Sequence, residues 1–71
     1  MNTKLLKAKL VALDHNVEWL ANSMGISTSQ LYRKLQNPDD SFSIKDVMNI
    51  RDILELTDEE TTTIFFSQEV A

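Results

Sequence analysis

The stretch Val17-Glu-Trp-Leu-Ala-Asn-Ser-Met-Gly-Ile-Ser-Thr-Ser-Gln-Leu-Tyr-Arg-Lys-Leu35 contains the only glycine of the chain, with helical patterning on both sides of it. Before the glycine, Val17, Leu20, Ala21 and Met24 recur at i, i+3, i+4 and i+7, the apolar stripe of an amphipathic helix. After it, Ser27 or Thr28 can cap a second helix in which Leu31 and Leu35 stand one turn apart. Gly25 reaches the left-handed conformation at little cost and so ends the first of the two. Ala21 is small enough for two helix backbones to cross there. Gly25, four residues later, allows the sharp turn, and Leu20, Met24, Ile26 and Leu31 supply apolar contacts that lock the angle. The spacing predicts a helix over 17–24 and another from about 28 to 36, joined steeply.

Upstream, Leu5, Leu6, Leu10 and Leu13 keep helical spacing while Lys4, Lys7 and Lys9 fall on other faces, which predicts a first helix from Thr3 to about Leu13. Asp14, His15 and Asn16 break it, with Asn16 as N-cap of the next. Downstream, Asn37-Pro38 stops the third helix. Asp39, Asp40 and Ser41 then read as a polar loop and Phe42 as a core anchor. Ser43 with Asp46 is a short-acid capping box for a fourth helix from Ile44. Its apolar residues Ile44, Val47, Met48, Ile50, Ile53 and Leu54 cover more than one stripe, the pattern of a helix buried among several neighbours. Thr57 and Glu60 form a fuller capping box, and Asp58, Glu59 and Glu60 suit the positive end of a fifth helix running to about Phe66. Ser67 to Ala71 read as a frayed tail. The expectation is one all-α domain of five helices over residues 1–71.

Apolar residues make up 42% and charged residues 25% of the chain, which removes it from the disordered class. Without cysteine it has no disulfide framework and no thiolate nucleophile or metal ligand, and it suits a reducing interior. No stretch is apolar enough to span a membrane and none has the pattern of a signal peptide, so a cytoplasmic protein is expected. His15, the single histidine, has no second ligand of the right type near it and reads as a loop or cap residue. The acid pairs lack the alternating oxygen ligands and turn glycine of a calcium loop. The serines and threonines have no base with an orienting acid, and no glycine-rich phosphate cradle exists. A binding protein, not an enzyme, with neither cofactor nor metal, is the expectation. Trp19, Phe65 and Phe66 are core aromatics by default, and any left exposed would mark a partner surface.

The formal net charge of −4 hides an asymmetry. Through Pro38 five basic residues outnumber Asp14 and Glu18, whereas from Asp39 onward Lys45 and Arg51 stand against nine acids. The first half is basic and the second acidic.

Residues 17–35, with the helix count and chain length, resemble the Cro/CI-type (XRE) helix-turn-helix family of phage regulators, whose domain is a five-helix lambda-repressor-like fold. The run Leu56-Thr-Asp-Glu-Glu followed by Ile64-Phe-Phe looks like the last helix of such regulators from temperate phages of Gram-positive hosts. The resemblance implies that the second and third helices form the reading unit, with Thr28, Ser29 and Arg33 along the major groove and Ser27, Tyr32 and Gln36 beside them. Arg33 is the foremost of these, because a guanidinium bonds two acceptors on guanine. Lys4, Lys7 and Lys34 would contact phosphates, although each also fits an ordinary solvated face. The chain departs from the family where it begins the second helix with Val17, a position that often holds a phosphate-binding Gln. Glu18, Asp39 and Asp40 put acids where phosphates would lie, or where a basic protein partner would.

Two functions stay open. One is an antirepressor of a lysis–lysogeny switch, similar to the modulators of repression that oppose a phage CI repressor by forming a complex with it. The other is a stand-alone Cro-like repressor that binds double-stranded operator DNA as a dimer joined through its C-terminal region. The charge and Val17 favour the first.

Overall fold

The computed structural model describes residues 1–66, apart from the side chain of Asp39; the frayed tail expected over 67–71 lies outside the described residues. These residues are all-helical: α1 (Thr3–Ala12), α2 (Val17–Met24), α3 (Thr28–Gln36), α4 (Pro38–Ser41), α5 (Ile44–Leu54) and α6 (Asp58–Thr61), the last running into a π-helical turn, Thr62–Phe66. Each of the five expected helices is present. The correction is α4: the polar stretch after Asn37 is one turn of helix, not a loop. Pro38 sits at its first position, where a missing N–H costs nothing and φ is already helical.

Side chains cap five of the six helices at their N-termini. Asn2 Oδ1 accepts from Leu5 N at 3.1 Å and Asn16 Oδ1 from Trp19 N at 2.8 Å. Ser27 with Gln30, Ser43 with Asp46 and Thr57 with Glu60 form reciprocal capping boxes. The C-termini repeat one device three times. The N–H of His15 bonds Leu10 O at 2.8 Å, that of Ile26 bonds Ala21 O at 3.0 Å, and that of Leu56 bonds Arg51 O at 3.0 Å. The residue just before each donor is left-handed: Asp14 (φ 60°), Gly25 (φ 76°) and Glu55 (φ 52°). These are Schellman motifs, which satisfy orphan carbonyls while turning the chain out of the helix. Only one of the three uses glycine, so sequence reading finds only that one.

The core is built from Leu6 and Leu10 of α1, Leu20 and Ala21 of α2, Leu31 of α3, Val47, Ile50 and Leu54 of α5, then Leu56, Ile64 and Phe65. Ala21 and Leu31 are fully buried, and α2 packs directly on both α3 and α5. Thr61, Thr62 and Thr63 each turn a hydroxyl back to the carbonyl four residues earlier, and a run of such bonds loosens helical geometry. The π-turn, which starts at Thr62, buries the adjacent residues Ile64 and Phe65 together and leaves Phe66 exposed. The expectation that α5 is buried on several sides is also corrected. Val47, Ile50 and Leu54 face the core, but Ile44 is 75% and Met48 55% exposed.

Because a Cβ at Gly25 would meet no atom within 4 Å, the cost of Gly25→Ala is conformational alone. Urea unfolding should show a loss of about 1 kcal/mol. Glu55→Gly, which relieves the same strain, should gain roughly 0.5 kcal/mol. Leu31→Ala, which empties the core at the crossing, should lose about 2–5 kcal/mol.

Candidate functional site

In α3 the inward residues are set by Leu31, fully buried, and Leu35, half-buried. Helical spacing then puts Ser29, Tyr32, Arg33 and Gln36 together on the opposite side, and all four are exposed. Tyr32 is half exposed, and Arg33 makes no ion pair among the described residues. The other two predicted readers sit at the edge of this face. Ser27 is the N-cap, its Oγ accepting from Gln30 N at 3.1 Å while Gln30 Oε1 accepts from Ser27 N at 2.9 Å. Thr28 begins the helix and is half-buried.

The predicted phosphate contacts divide. Lys4 and Lys7 are exposed on α1. Lys7 lines a shallow groove of about 280 Å³ with Val11, His15, Val17 and Tyr32, so the end of α1 and the start of α2 adjoin the α3 face. Lys34 is turned inward instead. Its ammonium donates to Ser41 O at 2.9 Å, lies 3.4 Å from Asp46 Oδ2, and sits 5.7 Å from the centre of the Phe42 ring. This cation ties α3 to α4 and α5, where a backbone carbonyl, a carboxylate and an aromatic face hold it. Of the two cations on α3, Arg33 alone is left free among the described residues.

Among the acids, Glu18 is exposed in the first turn of α2 and Asp40 is exposed on α4. The Asp39 side chain lies outside the described residues. Asp40 follows the α3 face closely in the chain, because α4 begins two residues after Gln36. α4, which packs on α3, thus carries the exposed acid Asp40, while the outer side of α3 carries one free cation among the described residues.

Sequence reading missed a stack of His15 on Trp19, with ring centroids 3.6 Å apart and planes within 6°. His15 precedes the Asn16 cap and Trp19 is the third residue of α2, so the two stand four positions apart, about one helical turn. That spacing was the available signal. Among the described residues no group of three or more His, Asp or Glu converges as a metal site, and no helix is long and apolar enough to cross a membrane.

Comparison with models of known families, with curated proteins and with solved structures finds no match to this chain.

Two carboxyls that link elements are displaced below their ordinary values of 3.8 and 4.5. Partial burial pushes Asp46 up, but the Ser43 backbone N–H and Lys34 together outweigh it. Glu60 is lowered by its hydrogen bond from Lys9, at 2.6 Å, and by the Thr57 backbone N–H. A lowered carboxyl stabilises the fold fully above its unfolded pKa, and that stability is lost as pH falls through the folded value. The urea midpoint should therefore hold from pH 7 to about 5 and fall below about 4. Asp46→Asn should lower the plateau and make the fall shallower.

Proposed function

We propose that this chain is a small helix-turn-helix regulator of a temperate-phage lysis–lysogeny switch, an antirepressor that binds the DNA-binding domain of a CI-type repressor and blocks its access to operator DNA. The α2–Gly25–α3 unit is the helix-turn-helix, and the side of α3 bearing Ser29, Tyr32, Arg33 and Gln36 is the gripping face. The observation that carries the reading is the inward commitment of Lys34. Phosphate neutralisation by free cations supplies most of a protein's attraction to DNA. Here, among the described residues, α3 keeps a single free cation, Arg33, next to a helix rich in acid, on a chain of net charge −4. A repressor's DNA-reading surface is basic, and an acidic surroundings with one central guanidinium and an exposed tyrosine complements such a surface better than it complements phosphates.

The alternative is a stand-alone Cro-like DNA-binding repressor. The specific observation in its favour is that Lys4 and Lys7 are exposed within the basic first half, and Lys7 shares a groove with Tyr32.

A mobility-shift titration separates the two. At physiological salt the chain alone should leave operator DNA unshifted, and added to a preformed complex of a CI-type repressor with its operator it should release the DNA. Tight binding by the chain alone, with affinity falling steeply as salt rises, would establish the alternative. Arg33→Ala should weaken the complex with the repressor by roughly 1.5–3 kcal/mol while leaving the thermal midpoint unchanged.

A further inference from the structure

The exposed side of α5 has a composition that the monomer does not explain. Ile44 and Met48 lie one turn apart and are 75% and 55% exposed, and Phe66, 63% exposed, lines a groove with Ile44, Pro38 and Phe42. Lys45 and Asp52 stand on the same side of α5 as Met48, one before and one after it, seven positions apart, about 10 Å along the axis. Both are exposed and neither forms an ion pair among the described residues.

Each of these two charges also stands at the wrong end of its helix. Lys45 is in the first turn of α5, where the helix dipole is positive, and Asp52 is in the last turn, where it is negative. In the single molecule both placements are mildly unfavourable. An antiparallel second α5 reverses this. A two-fold axis at Met48 places Lys45 of one copy beside Asp52 and the negative helix end of the other, and the symmetry repeats the contact. Met48 then lies between the two ion pairs along the axis, with Ile44 just beyond Lys45 at the edge of the seam.

We propose that this face of α5 is a self-complementary docking surface on which two copies of the chain pair antiparallel about Met48. Ile44, Met48 and Phe66 offer roughly 400 Å² of apolar surface per copy, about half of what each partner contributes to a standard interface. The association is correspondingly weak and reversible, with a dissociation constant on the order of 10⁻⁴ M. The surface is on α5, not α3, and is independent of the target that α3 grips; loss of the dimer leaves that reading standing.

Sedimentation equilibrium of the full chain from about 10 µM to 1 mM tests the surface, with circular dichroism to confirm folding of each variant. The wild type should pass from monomer to dimer across this range. Lys45→Asp and Asp52→Lys should each weaken dimerisation about five-fold or more, and the double exchange should restore it to within about two-fold of wild type. Restoration distinguishes an ion pair across the axis from a general effect of charge. A chain that stays monomeric at 1 mM overturns the proposal, and a different protein would then be what covers the patch. A dimer indifferent to the exchanges, or not restored by the double variant, also overturns it and places the contact elsewhere.

Discussion

The exposed side of α3 depends on how α2 and α3 are held, and that rests on the backbone bond from Ile26 N–H to Ala21 O across a left-handed Gly25. The bond closes the last turn of α2, and the residue after the glycine starts the path into α3. Leu20 and Ala21 on one side and Leu31 on the other are fully buried, so the angle set by the turn is fixed by packing. The exposed side of α3 is a by-product of this. Once Leu31 points inward, Ser29, Tyr32, Arg33 and Gln36 have to point outward.

The same economy runs through the chain. In so small a domain each helix contributes only a few buried side chains, and little hydrophobic area is left to fix helix boundaries. Boundaries are fixed by caps, and the capping side chains lie three residues from the backbone groups they bond. Three longer side-chain ties join elements among the described residues. Lys34 holds the α4–α5 junction, Lys9 reaches Glu60, and Arg51 pairs with Asp58. Using Lys34 in this way removes a cation from the outer side of α3, so a structural tie changes the chemistry of the face beside it.

This explains which parts were legible from sequence. Caps and apolar stripes are local, so α2 and α5 begin where Asn16 and Ser43 predict, and Gly25 ends α2 as expected. What escaped was decided by non-local or context-dependent choices. Asp14 and Glu55 take the left-handed cap without being glycine; an Asp is one of the few side chains that tolerates it, whereas nothing in Glu55 announces it. A proline after Asn37 reads equally well as a stop and as the first residue of a new turn, and here it is both. Ile44 and Met48 are exposed because Val47, Ile50 and Leu54 form the stripe that meets the core, and an apolar pattern wider than one stripe does not say which stripe turns inward. Lys34 looks like any surface lysine until α4 brings Ser41 to it.

The backbone bond from Asn2 N–H to Ile64 O, at 2.6 Å, joins the start of α1 to the end of the last helix. Together with Lys9–Glu60 it spans most of the chain, whereas the caps and the α2–α3 turn span only a few residues. Closing a long loop costs chain entropy that local turns do not. The seam between α1 and the C-terminal helix therefore carries the largest closure cost of the fold, and the α2–α3 hairpin one of the smallest.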